Sequence, residues 1–201
     1  MSRPDNLNII RKRIQESRAG YVFVASDFAD ITENVKVGVS LSRLEEEGLI
    51  KRIMRGVYYK PEYSKLLGEN VAPSPNAVAY AIARNFGWSI VPCGDTALNL
   101  LGLSTQVPAA WSYVSDGPYK DYSYDNTIIK FKHTTNKEIS KLTPKTALVI
   151  QALKTLGKDN IRNETIERIK ESTTLNERKI MLREAQYATA WIYEVIKLIC
   201  R

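Results

Sequence analysis

The chain is poor in the residues that carry most enzyme chemistry. Of its 201 residues one is histidine and two are cysteine. Cys93 and Cys200 are far apart and unpatterned. They give neither a disulfide framework nor metal-ligand spacing, so a reducing cytoplasm is the expected compartment. His133 stands alone in a segment of strand character, where a single histidine is ordinarily structural. The phosphate-cradling patterns GxxxxGK and GxGxxG are missing. Long apolar runs are missing too. The longest, Tyr21–Ala25 and Ala77–Ala83, fall far short of the roughly 20 residues that cross a bilayer. The start, MSRPDNLN, is polar and lacks the apolar core of a signal peptide. Together these absences predict a protein that is not an enzyme, with no metal, no cofactor and no membrane partner. A Cys93 nucleophile served by a His133 base is the minor alternative.

What the chain does have is positive charge, a formal net of +7. Moderate basicity fits a nucleic-acid partner without proving one. The charge is uneven. Residues 1–65 are dense in Lys, Arg, Asp and Glu, 66–135 are near neutral and hold most aromatics, and the last third is basic again. This divides the chain into a charged head, a strand-containing middle and a helical tail.

The head is the most legible part. Leu7, Ile10 and Ile14 predict a helix over about Asn6–Ser17, ended by Gly20. Tyr21–Val24 is a short extended segment. Ser26 is placed to cap a short helix, Asp27–Ile31, and Asn34 to cap a third, Val35–Glu47. In the third helix Val37, Leu41 and Leu44 face a core, leaving Lys36, Ser40 and Arg43 on other faces. Gly48 supplies a left-handed stop. Leu49–Met54 and Val57–Lys60 then read as two strands joined by Arg55-Gly56. Three helices followed by a basic hairpin predict a winged helix-turn-helix over 1–65.

Duplex DNA suits this layout because an α-helix fits the major groove, where base pairs show distinguishable donor and acceptor patterns. Arg43 is the candidate reader of guanine, and Ser40 and Ser42 can bond bases or phosphates. Lys51, Arg52 and Arg55 on the hairpin would hold phosphates and set register. Gly56 would allow the hairpin tip to approach the DNA backbone closely. Glu45, Glu46 and Glu47 would repel phosphates, so the C-terminal end of the third helix should point away from DNA. The plainer alternative is a solvated charged helix face beside an ordinary basic hairpin.

Residues 66–75 read as a linker, from the turn formers of GENVAPSP. Residues 76–201 then form an α+β domain ending in helices, so the fold class expected for the whole chain is α+β. The pattern predicts helices over Asn76–Phe86, Thr96–Leu101, Pro144–Leu156, Glu164–Glu171 and Leu175 to the end. It predicts strands over Trp88–Val91, Trp111–Ser115 and Thr127–His133. Asp116, Asp121 and Asp125 suggest a solvated loop. Tyr113, Tyr119, Tyr122 and Tyr124 can pack a hairpin or stack on single-stranded bases. Thr174 and Glu177 have capping-box spacing. Met181, Ala185, Ala188, Ile192, Val195 and Ile199 make a heptad-like stripe, which either packs on its own domain or joins a homodimer. Arg178, Lys179 and Arg183 either add phosphate contacts or form a helix salt-bridge face.

Three segments resemble one family: GLIKRIMRGVYY at 48–59, CGDTALNLLGLSTQVPAAWSYVSDG at 93–117 and IIKFKHT at 128–134. They are similar to the AbiEi-type antitoxins, and in particular to a shorter branch of relatives. The resemblance covers about Asp27 to Gly157. It implies a DNA-binding antitoxin that represses its own operon at promoter inverted repeats. The usual partner gene in such pairs encodes a nucleotidyltransferase-like toxin, and the pairs act in abortive infection against phage. The antitoxin in this arrangement need not touch the toxin. Lys36, Ser40, Arg43, Lys51, Arg52, Arg55 and Tyr58 match the family's helix-and-wing pattern. The competing function class is a protein-interaction module that binds a toxin or another protein directly. The two differ in salt response, because counterion release makes DNA binding fall steeply with salt.

Overall fold

The computed structural model describes residues 5–66, 68–135 and 141–201. The chain is mixed α+β and divides into two compact units, Met1–Trp88 and Ser89–Arg201.

In the first unit α1 (Asn6–Glu16) starts at Asp5, whose carboxylate accepts from the Asn8 backbone N–H, and it buries Ile10 and Ile14. Strand β1 (Val22–Val24) has all three residues buried. A 3-10 turn, Ala25–Phe28, stands in place of the expected short α-helix. Ser26 does not cap it. The Asp27 carboxylate does, accepting from the Val24 N–H at 3.0 Å. Helix α2 (Asn34–Glu46) begins at Asn34 itself, so Asn34 is its first residue and not its cap. Val37, Leu41 and Leu44 are fully buried, and each leucine contributes roughly 1.5–3 kcal/mol through burial.

Strands β2 (Lys51–Met54) and β3 (Val57–Tyr59) form the hairpin, with a bulge between Arg52 and Met54. The sheet order is β1-β3-β2, all antiparallel. The core joins Ile10, Phe23, Leu41, Leu44, Ile50 and Tyr58. The rings of Phe23 and Tyr58 stack, their centroids 6.4 Å apart.

The stretch expected to be a linker, 66–75, supplies the second strand of another hairpin, β5 (Glu69–Val71), which pairs with β4 (Glu62–Ser64) just before it. Helix α3 (Pro75–Phe86) has proline in its first turn and ends at Gly87, whose φ is +69°. It belongs to the first unit and does not open the second. Arg84 donates two hydrogen bonds to the Asp27 carboxylate, at 2.9 and 3.0 Å, and a third to the Val22 carbonyl. The unit therefore runs to Trp88 and does not stop at residue 65.

The second unit is built on a four-stranded sheet of order β6-β7-β9-β8. Here β6 is Ile90–Pro92, β7 Trp111–Ser115, β8 Lys120–Tyr124 and β9 Thr127–His133. Strands β7 and β9 are parallel, and the other pairs are antiparallel. Strand β8 lies where the sequence suggested a solvated loop. Tyr122 meets Phe131 edge-on, Tyr113 packs against the same ring and Tyr124 is buried, so these three pack the sheet, while Tyr119 is exposed.

Helices α4 (Asp95–Leu100), α5 (Pro144–Leu156), α6 (Asn163–Glu171), α7 (Leu175–Glu184) and α8 (Ala190–Ile199) complete the unit. The Thr174–Glu177 capping box forms. The last helix is not continuous. A 3-10 turn at Ala185–Tyr187 and extended Ala188 separate α7 from α8. Of the stripe expected as a heptad seam, Met181, Ala185, Ile192 and Ile199 are buried with Val149, Leu153, Ile169 and Ile196 in the unit's own core, and Ala188 and Val195 are half-buried against it. Among the described residues no helix is long and apolar enough to cross a membrane.

Candidate nucleic-acid interface

Helix α2 buries one face, Val37, Leu41 and Leu44, and turns the other outward. At 3.6 residues per turn, Val35, Val39, Arg43 and Glu46 lie along the outward face, with Gly38 and Ser42 beside them. Together with Arg52, Arg55, Gly56 and Tyr58 of the hairpin they line one open groove. The structure thus brings together Ser42, Arg43, Arg52, Arg55, Gly56 and Tyr58. It does not bring in Lys36, Ser40 or Lys51.

Each exception has a physical reason. Ser40 is buried, and its hydroxyl donates to the Lys36 carbonyl at 3.1 Å. The hydroxyl is thereby satisfied within the helix and is no candidate contact. Lys36 is exposed but pairs with Glu33 at 3.4 Å, to the side of the groove. Lys51 is exposed, yet successive strand residues alternate faces, so it points away from the face that carries Arg52.

Two groove residues have structural duties. Tyr58 is 5% exposed and belongs to the core. Arg52 lies over its ring, 5.2 Å from the centroid, and donates to its hydroxyl at 3.1 Å. Arg52 also pairs with Glu45 of α2 at 2.9 Å. It therefore ties the hairpin to the helix and is not a free cation. Glu47 is held by both terminal nitrogens of Arg11, and the hydrogen-bonded guanidinium keeps its carboxyl below the usual carboxylate range. Of the three consecutive glutamates, Glu45 and Glu47 are thus neutralised inside the unit. Glu46 is exposed and lines the groove.

The groove's two free cations are Arg43 and Arg55, both exposed and without an ion pair among the described residues. Gly56 has φ +80°, which suits glycine. A Cβ there would lie 3.7 Å from the Asn85 side chain, so the turn also packs against α3. Val35, Gly38 and Val39 carry no sequence signal of binding, because charge and hydroxyls are what mark a DNA contact in a sequence. Their exposed apolar surface becomes visible once the buried face is fixed.

The chain belongs to a family of unknown function, DUF6088. The family's model matches residues 9–181, which takes in the groove and most of the second unit. No curated protein matches the chain.

The second unit offers no comparable assembly at the positions singled out by sequence. Cys93 is buried, and burial pushes its thiol up, against a weaker opposing pull from Lys132. That is the reverse of an activated nucleophile. The Cys93 N–H bonds to the Ser112 carbonyl, whose residue pairs with Lys130. His133 is three residues past Lys130 on β9, about 10 Å along the strand at 3.3 Å per residue, and so farther still from Cys93. Its Nδ1 instead bonds the Gly117 carbonyl at 2.9 Å. Asp116 accepts from the Ser89 N–H, and Asp125 occupies the β8–β9 turn. Among the described residues no three His, Cys, Asp or Glu side chains converge as metal ligands. Arg183 lines a cavity with Lys141 and Lys154, while the Arg178 Nε is buried.

Proposed function

We propose that the first unit is a winged helix-turn-helix that binds duplex DNA, and that the protein is a transcriptional regulator. The observation that carries this reading is the single groove in which the outward face of α2 meets the β2–β3 hairpin, with Arg43 and Arg55 free. The element order helix, strand, turn, helix, hairpin and the sheet order β1-β3-β2 support it. In this reading α2 enters the major groove and the hairpin follows the phosphates. Arg43 faces base edges, Arg55 reaches the backbone, and Arg52 positions one element against the other.

The likeness of 48–59, 93–117 and 128–134 to AbiEi-type antitoxins supports a narrower form. The protein represses its own operon at promoter inverted repeats, next to a gene for a nucleotidyltransferase-like toxin. Because the buried part of the α7–α8 stripe is internal, pairing of two copies on such repeats uses another surface or cooperative assembly on DNA.

The test is a gel shift of the full chain on its own upstream region at two salt concentrations, beside an Arg43→Ala/Arg55→Ala variant. The expected result is tight binding that falls steeply with salt. The double variant should bind more weakly, with a salt slope reduced by about 1 for the phosphate that Arg55 no longer holds and with weaker preference at the base that Arg43 faces. Binding equal to that of random DNA and unchanged in the variant overturns the reading. It would redirect attention to a protein partner in the same groove.

A further inference from the structure

Two features of α2 have no explanation inside the protein. The first is apolar exposure. Val35 is 79% and Val39 53% exposed, although valine is a poor helix former and a solvated helix face ordinarily carries long polar side chains. The second is Gly38, between them. Glycine weakens a helix interior, yet here φ is not positive, and among the described residues nothing lies within 4 Å of where a Cβ would stand. The unit neither needs the valines for packing nor requires glycine for space. An external partner that approaches the helix closely explains both.

We propose that Val35 and Val39 read thymine: they contact C5-methyl groups in the major groove, and Gly38 lets the helix backbone approach the base edges. This inference rests on the DNA-binding reading above. Charge selects this partner. Arg43 shares the same outward face, and Arg55 stands across the groove, both free. A nucleic acid offers phosphates and guanine edges to such cations and, within the groove, a thymine methyl group to such valines. The valines sit in the N-terminal half of Asn34–Glu46, the part of a recognition helix that contacts bases. Glu46, the exposed acid on this face, is at the far end. The preferred sites therefore carry thymines opposite Val35 and Val39, with guanine the candidate opposite Arg43.

The experiment selects duplexes from a random pool with the full chain, then replaces the thymines of the preferred site by deoxyuracil, which removes the methyl alone. The wild type is expected to lose about fourfold per buried methyl, the value of one apolar carbon group. The Val35→Ala/Val39→Ala variant should bind the thymine and uracil sites equally. Gly38→Ala should raise the melting temperature and weaken site binding, opposite signs that a purely structural role would not give. Circular dichroism melts confirm that all variants fold. Equal binding of both sites by the wild type, still salt-sensitive and dependent on Arg43 and Arg55, overturns the valine reading and leaves DNA binding standing. Selection of no sequence above random duplex, with binding unchanged in Arg43→Ala/Arg55→Ala, overturns both.

Discussion

Helices α2 and α8 both carry apolar side chains beyond a minimal stripe, and the surroundings divide them differently. In α8, Ile192, Ile196 and Ile199 are covered by the unit's other helices, and Leu198 is 43% exposed. In α2, Val37, Leu41 and Leu44 are covered, while Val35 and Val39 remain open beside two free arginines. Apolar residues at helical spacing mark a face that avoids water. Whether that face is core or interface is decided by which element lies over it, and this is set by the tertiary fold.

Truncation in each helix separates core from interface most strongly. Leu41→Ala and Ile196→Ala remove fully buried side chains and should each lower stability by about 2–5 kcal/mol. Val39→Ala should change it by no more than about 0.5 kcal/mol. Hydrogen exchange should place the loss of protection in the first unit for Leu41→Ala and in the second for Ile196→Ala. A Val39→Ala variant as damaged as Leu41→Ala would show that the outward face of α2 is core after all.

A smaller effect tests what holds the first unit together. Asp27 accepts from Arg84 of α3 and from the N–H of Val24, and its side chain is 18% exposed. Asp27→Asn should cost about 1.5–3 kcal/mol, the range for hydrogen bonds to a charged group. The amides of α3 should lose protection first. Unchanged protection there would mean that α3 is held by packing alone.

The smallest effect belongs to the second unit and depends on pH. Burial pushes the Glu184 carboxyl up, but hydrogen bonds from Thr146 and Thr143 outweigh it and keep the group below the usual carboxylate range. A depressed folded-state pKa means the stabilisation is complete above the unfolded value, about 4.3. It is lost as pH falls through the lower folded value. Glu184→Gln should cost about 1 kcal/mol at neutral pH. The gap from wild type should close as the pH falls below the carboxylate range, read as melting temperature against pH. A gap that is constant with pH would assign the effect to shape and not to charge.

Local signals are legible in the sequence. The buried positions of α1 and α2, the stop at Gly48, the Pro144–Leu156 helix with Gly157 after it and the Thr174–Glu177 box depend on residues a turn apart. What is not legible depends on distant partners. KDYSY is polar and reads as loop, and it becomes β8 because β9 pairs with it. The helix ending at Phe86 reads as the start of a new domain until Arg84 is seen on Asp27, 57 residues away. Of the residues chosen as DNA contacts, Ser40 is turned inward by the face it shares with Val37 and Leu41. Tyr58 is drawn into the core by Phe23. Arg52 is claimed by Glu45 and Tyr58. Charge and spacing place a basic residue near the groove without saying whether its charge is already in use.

Arg52 has a thermodynamic consequence. One guanidinium on β2 touches Glu45 of α2 and Tyr58 of β3, so helix and hairpin are fixed in mutual orientation before any ligand arrives. Much of the conformational entropy that a loosely hinged hairpin would lose on association has already been lost during folding. Whatever docks in the groove meets a pre-organised surface, and ordering it costs correspondingly less.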